Sequence, residues 1–194
     1  LTLLDLIKFF GKQSLVDACD ALHREKVNNK FYRVWYQLNS STQIEVRTGA
    51  GTSARGLAGP VTGQGGGGAA LASALNLDLG LERYSGDSLD EDCYGAVRLQ
   101  PQAYIDDIAR SSSDTNSVRA GNAKFSSLAA EKQLKFHAKK SSYLVFGTEN
   151  YRAKVKLECK EEPIKLGKDI LQEKEEEKYL GDVLCSLGLA ESVE

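Results

Sequence analysis

Residues 102–110 read Gln102-Ala103-Tyr104-Ile105-Asp106-Asp107-Ile108-Ala109-Arg110, two adjacent carboxylates set between short apolar and β-prone flanks. Side chains alternate faces along a strand, so neighbouring aspartates cannot both be ordinary outward residues of one strand. The pair is therefore predicted at the tip of a β-hairpin. There it gathers about two negative charges in a small volume, which repulsion opposes unless a cation sits there or a proton is taken up. Oxygen ligands of this kind suit Mg²⁺ or Mn²⁺. A solvated Asp-Asp turn is the plainer alternative, and the choice between them rests on the rest of the chain.

Four other stretches bear on that choice. The opening Leu1–Leu6 reads as a buried strand with Asp5 near its end, and a carboxylate in an apolar strand is costly unless paired or metal-bound. Residues 62–68, Thr-Gly-Gln-Gly-Gly-Gly-Gly, end a flexible connection that begins at Gly49 and precede a predicted helix over 69–81. Gly63, Gly65 and Gly68 satisfy G-x-G-x-x-G, but the apolar strand that a dinucleotide loop must follow is missing. A P-loop is excluded, because no Lys-Ser or Lys-Thr closes the glycines. Lys139-Lys140-Ser141 follows a second predicted helix, and Lys178-Tyr179-Leu180-Gly181 lies near the end.

A chain of 194 residues with 41% hydrophobic content can hold a core of its own. No apolar run reaches the roughly 18 residues of a membrane-spanning helix, and the basic start of a signal peptide is missing. The absence of Met suggests a piece of a longer polypeptide, entered on a strand. Cys19, Cys93, Cys159 and Cys185 are far apart, and with only His23 and His137 beside them no zinc site is expected. Reduced thiols in an intracellular compartment are expected instead.

The net charge of −2 hides a split. Between 78 and 114, Asp78, Glu82, Asp87, Asp90, Glu91, Asp92, Asp106, Asp107 and Asp114 face only Arg83, Arg98 and Arg110. Between 119 and 156 the balance reverses, with seven lysines and two arginines against Glu131 and Glu149. An acidic centre beside a basic flank suits a metal-dependent chemistry on a phosphate backbone. Ordinary solvated helix faces would give the same pattern.

Local signals place further elements. Ser14 caps a helix, with Asp17 three residues on and Leu15, Ala18, Cys19 and Leu22 as its apolar face. Lys30–Leu38 reads as a core helix carrying Trp35 among Phe31, Val34 and Leu38. Gln43–Thr48 reads as a half-buried strand through Ile44 and Val46. Residues 111–116 cap a helix that runs to about Gln133 with Val118, Phe125, Leu128 and Ala129 inward, weakened at Gly121. Tyr143–Gly147 and Tyr151–Leu157 alternate like strands, Glu158–Glu177 reads as a mobile charged insertion, and Lys178–Leu184 returns to a strand.

Taken in order, Asp5 in its apolar run, Gln64-Gly65, the Tyr104-Ile105-Asp106-Asp107 box, Lys140-Ser141 and Tyr179-Leu180-Gly181 resemble the palm motifs of reverse transcriptases, most closely the non-LTR retrotransposon and group II intron branch. The resemblance runs over nearly the whole chain. It implies an α+β palm, an antiparallel sheet carrying the aspartates with helices packed on one face. Residues 1–147 would be the palm core and 148–194 a distal part with a charged insertion and a primer-grip-like hairpin. The implied activity is RNA-directed DNA polymerisation, with an RNA template, a DNA primer and dNTP as partners. Asp5 and Asp106 would hold two Mg²⁺ (or Mn²⁺) ions, with Asp107 adding charge.

The same resemblance makes Lys140 the support for the pyrophosphate leaving group. It makes Phe10 the ring under the nucleotide sugar, and Gln64, Gly65 and Tyr104 further nucleotide contacts. Tyr179, Leu180 and Gly181 would grip the primer. Fingers and thumb would come from the rest of a polyprotein, so the isolated chain is expected to be inactive. Gly11 stands where many relatives carry a second aspartate, and glycines fill the region after Gln64-Gly65. Those departures keep a non-catalytic nucleic-acid-binding remnant open, beside a nucleotide-binding enzyme built on the glycine loop.

Overall fold

A computed structural model of the chain describes residues 1–7, 9, 14–40, 43–57, 68–85, 92–94, 97–99 and 101–186. They form two compact units, Leu1–Ile7 with Gly80–Glu194, and Lys8–Leu79. In chain order the elements are β1 (Thr2–Asp5), α1 (Leu15–Arg24), α2 (Asn29–Ser40), β2 (Gln43–Ile44), β3 (Arg47–Thr48), β4 (Gly51–Thr52), β5 (Gly56–Leu57), α3 (Ala69–Ser85), β6 (Asp92–Tyr94), β7 (Val97–Leu99), β8 (Gln102–Tyr104), β9 (Asp107–Arg110), α4 (Thr115–Glu131), β10 (Ser142–Tyr143), α5 (Glu149–Glu161), β11 (Lys165–Leu166), β12 (Asp169–Ile170), β13 (Gln172–Glu173), β14 (Glu176–Tyr179) and β15 (Asp182–Cys185). The class is α+β.

The first unit is built on a five-stranded sheet of order β13-β10-β1-β9-β8. β1 is central because Leu3, Leu4 and the following Leu6 bury apolar side chains on both faces. It pairs antiparallel with β9, Thr2 opposite Arg110 and Asp5 opposite Asp107, and with β10, Thr2 opposite Tyr143 and Leu3 opposite Ser142. Residues directly opposite share a face. One face therefore carries Thr2, Leu4, Ile108, Arg110 and Tyr143, and the other carries Leu3, Asp5, Asp107 and Ser142.

Both helices of this unit that follow the hairpin cover the first face. The buried Arg110 guanidinium donates to the Ser117 carbonyl at 2.8 Å and the Val118 carbonyl at 3.4 Å in α4. It fills the space that a Cβ at Gly121 would need, so the glycine that weakens the helix by propensity is required by packing. Thr115 ties α4 to α5 by donating to Glu158 at 2.7 Å. The hydroxyl of Ser142, on the opposite face, donates to Glu177 of β14 at 2.8 Å, which fastens the β14–β15 hairpin there.

In the second unit the predicted cap is present, Ser14 Oγ accepting from the Asp17 amide at 3.4 Å. Leu15, Ala18, Cys19 and Leu22 of α1 pack with Trp35 of α2 and Ala72 of α3 in one cluster. Gly68, at φ +80°, lies against the Phe31 and Trp35 rings, so a side chain there would be strained by the backbone and crowded by the rings.

Several expectations need correction. The sheet is mixed: β13 runs parallel to β10, because a long crossover through α5 and the β11–β12 hairpin separates them. That pairing joins residues on both sides of position 147. Residues 151–157 are helical: Thr148 Oγ1 caps α5 through the Tyr151 amide, and Val155 is buried while Leu157, two residues on, is exposed. Residues 158–177 are no loose insertion, since they supply β11, β12 and β13 and bury Ile164, Leu166 and Leu171. On α2 only Trp35 is buried, with Phe31, Val34 and Leu38 outward, and the 43–48 strand is broken into β2 and β3 with Val46 exposed.

Asp114 caps α4 through the amides of Asn116 and Ser117 at 2.8 and 2.9 Å. The backbone hydrogen bond from Ser117 is the main reason its carboxyl titrates below the usual range. A depressed folded pKa gives stability that is present above the unfolded value and lost as pH falls through the folded one. Asp114→Ala is therefore expected to cost about 1 kcal/mol at pH 7 and progressively less below the ordinary carboxylate range, as read by urea unfolding at both pH values.

Candidate functional site

The predicted hairpin is β8–β9. Tyr104 opposite Asp107 is the last pair, and Ile105 and Asp106 form a two-residue turn. Ile105 has φ +60°, the left-handed value that the first turn position of a type II′ hairpin requires. A β-branched residue there is strained by about 1–3 kcal/mol, so the surroundings must hold it. Asp106 supplies part of that hold, its carbonyl accepting from the Leu6 amide at 3.2 Å.

That bond also sets the character of the neighbouring pair. Since Leu6 and Asp106 are hydrogen-bonded across β1 and β9, Asp5 and Asp107 fall at a non-hydrogen-bonded position, where side chains come closest and Cα atoms are about 4.5 Å apart. The peptide groups of Asp5 point the other way. Its amide donates to Ser141 Oγ at 3.1 Å, and its carbonyl accepts from the His137 amide at 2.8 Å. On that side Lys140 reaches back, Nζ lying 3.7 Å from Asp5 Oδ1. Tyr104, Asp107, Asp5 and Lys140 thus form a row across the face of the sheet that the helices leave open.

The electrostatics follow. Burial first, then the charges of Asp106 and Asp5, raise the Asp107 pKa, and the Lys140 ammonium offsets only part of this. Burial and then the Asp107 charge raise the pKa of the Tyr179 phenol. Burial also works against the Glu177 carboxylate, but hydrogen bonds from Lys174 and Ser142 outweigh it and hold that pKa below the ordinary glutamate value. A cavity of about 280 Å³ opens over the row, with Asp5, Asp107, Lys140 and Tyr179 on its wall together with Lys139, Lys174, Glu177 and Lys178.

Asp5, Asp107, Lys140 and Tyr179 are thus brought together, with Asp107 rather than Asp106 opposite Asp5, Tyr104 exposed at one side and Asp106 in the turn. Leu180 and Gly181, both at positive φ, form the tip of the β14–β15 hairpin. Phe10, Gln64 and Gly65 lie outside the described residues. Lys174 and Glu177 were missed because 158–177 read as an insertion, and Lys178 was read only as the start of the last strand. The i, i+3 spacing of Lys174 and Glu177, two residues before Tyr179, was the available signal.

Among the described residues no three His, Cys, Asp or Glu side chains stand together as a cage for a metal ion. Asp5 and Asp107 instead offer two facing carboxylates. Mg²⁺ is often bound through one or two carboxylates, with its other positions left to water or substrate phosphate, and the donor pair fits that mode. A larger cleft of about 500 Å³ on the helix-covered face is mainly apolar, and its carboxylate, Asp114, is engaged as a helix cap. Among the described residues Cys19, Cys159 and Cys185 are free thiols, and no helix is long and apolar enough to cross a membrane. Comparison of the sequence with known protein families and with curated proteins gives no match.

The raised Asp107 pKa has a consequence for stability. A folded pKa above the unfolded one gives a contribution fully present below the unfolded value and lost as pH rises through the folded one. Asp107→Asn is expected to stabilise the fold by about 0.5 kcal/mol at pH 7, as relief of a like-charge cross-strand pair, with the gain vanishing below pH ~4. Denaturant unfolding of both proteins at the two pH values checks this, and a loss of stability at pH 7 would contradict it.

Proposed function

We propose that the chain carries the catalytic centre of a reverse-transcriptase-type polymerase, which transfers a nucleotide from dNTP to the 3′-hydroxyl of a DNA primer on an RNA template. The observation that carries this reading is the Asp107–Asp5–Lys140 row on the open face of a helix-backed sheet. Two carboxylates and a mobile cation are there brought side by side at a strained hairpin tip. In this reading the first unit is the palm.

The roles follow from the positions. Asp5 and Asp107, with Asp106 next to them in the turn, are the residues that would hold Mg²⁺ or Mn²⁺. Divalent cations supply such a centre with activation of the primer hydroxyl and neutralisation of triphosphate charge. Lys140 lies beside Asp5 with its side chain 65% exposed, within reach of the negative charge that develops on the leaving pyrophosphate. Lys139, Lys174 and Lys178 ring the same cavity and provide positive potential for a phosphate backbone. Tyr179, held over Asp107 by the Glu177–Ser142 bond, and the exposed Tyr104 give flat surfaces for sugar or base.

Metal binding tests the centre and turnover tests the activity. Mn²⁺ at about ten times its Kd is expected to raise the melting temperature by about 3–6 °C. Asp5→Asn and Asp106→Asn should each lose most of that rise, and Glu161→Gln, remote on α5, should keep it. A polypeptide joining this chain to fingers and thumb segments should extend a DNA primer on RNA only with Asp5 and Asp107 intact. Equal metal stabilisation in all variants would reduce the aspartates to an ordinary turn, and nucleic-acid binding without extension would leave a binding module.

A further inference from the structure

Lys140 occupies an unusual place among the cations around the cavity. Its backbone is fixed, the Lys140 and Ser141 amides both donating to the His137 carbonyl at 2.8 and 2.9 Å. Its side chain is not, being 65% exposed, while the Asp5 carboxylate it meets is only 20% exposed. A flexible stem on a rigid base can swing its charge without disturbing the fold. Asp5 has a like charge directly opposite at Asp107, so a cation beside it relieves the pair. The ammonium at 3.7 Å is the cation present.

Resting on the reading of the site as a polymerase centre, we propose that Lys140 is a built-in stand-in for the divalent cation, holding Asp5 until a metal–polyphosphate complex draws the ammonium onto phosphate. A bare dication must displace Lys140 from Asp5 and then sit beside its positive charge, so it binds weakly. A dication delivered with a polyphosphate gives the ammonium a new partner, so displacement is offset. Metal and polyphosphate therefore bind with positive coupling, and the coupling is reciprocal. The centre takes its metal with the nucleotide rather than ahead of it. Lys139, Lys174, Lys178, Glu177 and Tyr179 line the same cavity and supply its general potential, but Lys140 is the cation paired with Asp5.

The test is a double-mutant cycle on the 194-residue chain, with free Mn²⁺ counted by electron paramagnetic resonance. Lys140→Ala should tighten binding of bare Mn²⁺ by about three- to tenfold, through loss of a competing ion pair and of a nearby like charge. The same change should make no difference in an Asp5→Asn background. With a non-hydrolysable α,β-methylene dATP analogue the order should reverse, wild type binding the Mn²⁺ complex more tightly than Lys140→Ala. Lys140→Gln, which keeps the stem, should behave like Lys140→Ala. Unchanged or weaker Mn²⁺ binding in Lys140→Ala, or equal tightening without Asp5, overturns the inference while leaving the polymerase reading intact. Absence of Mn²⁺ binding at millimolar concentration in both wild type and Lys140→Ala overturns both.

Discussion

Two carboxylates directly opposite each other on neighbouring strands repel, and the rest of the first unit keeps Asp5 and Asp107 in that relation. The β1 register is held from both sides. Leu6 bonds to Asp106 on one edge, and Asp5 bonds to Ser141 and His137 on the other. A slip of one residue would turn Asp5 toward the helices and Leu4 toward solvent, against the hydrophobic pattern of the strand. Arg110, buried against α4 in the space left by Gly121, pins the other end of β9. The repulsion is therefore maintained by the core and left for a proton or a cation to relieve.

The turn that carries Asp106 is strained for a related reason. A glycine at position 105 would adopt φ +60° freely, whereas Ile105 adopts it only because flanking pairs on β8–β9 and the Leu6–Asp106 bond over-determine the backbone. Charge and strain thus meet at one end of one hairpin, on the face opposite the helices. The β14–β15 hairpin, with Leu180 and Gly181 in a type I′ pattern, is held over that face by Glu177 and brings Tyr179 to the pair.

Much of this was legible in the sequence where local chemistry decides. The Asp106-Asp107 hairpin, the Ser14 cap, the apolar face of α1 and the strand around Asp5 each follow from adjacent residues. What was not legible depends on distant partners. Residues 151–157 alternate as a strand would, yet they form a helix capped at Thr148 that buries Val155. Residues 158–177 look too charged for a core, yet Ile164, Leu166 and Leu171 suffice to bury them once β10 offers an edge for β13. The placement of Lys174 and Glu177 at the carboxylate cavity follows from that pairing and could not precede it. Which carboxylate faces Asp5 is likewise a matter of register, and the register selects Asp107.

If Asp5 and the Asp106-Asp107 turn make one cation site, substoichiometric Mn²⁺ should broaden the backbone amide signals nearest to it by paramagnetic relaxation. The amides of residues 4–6, 105–108 and 140 should broaden first and together, with those of the acidic stretch at Glu158, Glu161 and Glu162 unaffected at the same concentration. Broadening that begins on α5, or that reaches residue 5 without reaching 106 and 107, would mean that the three aspartates do not share a cation.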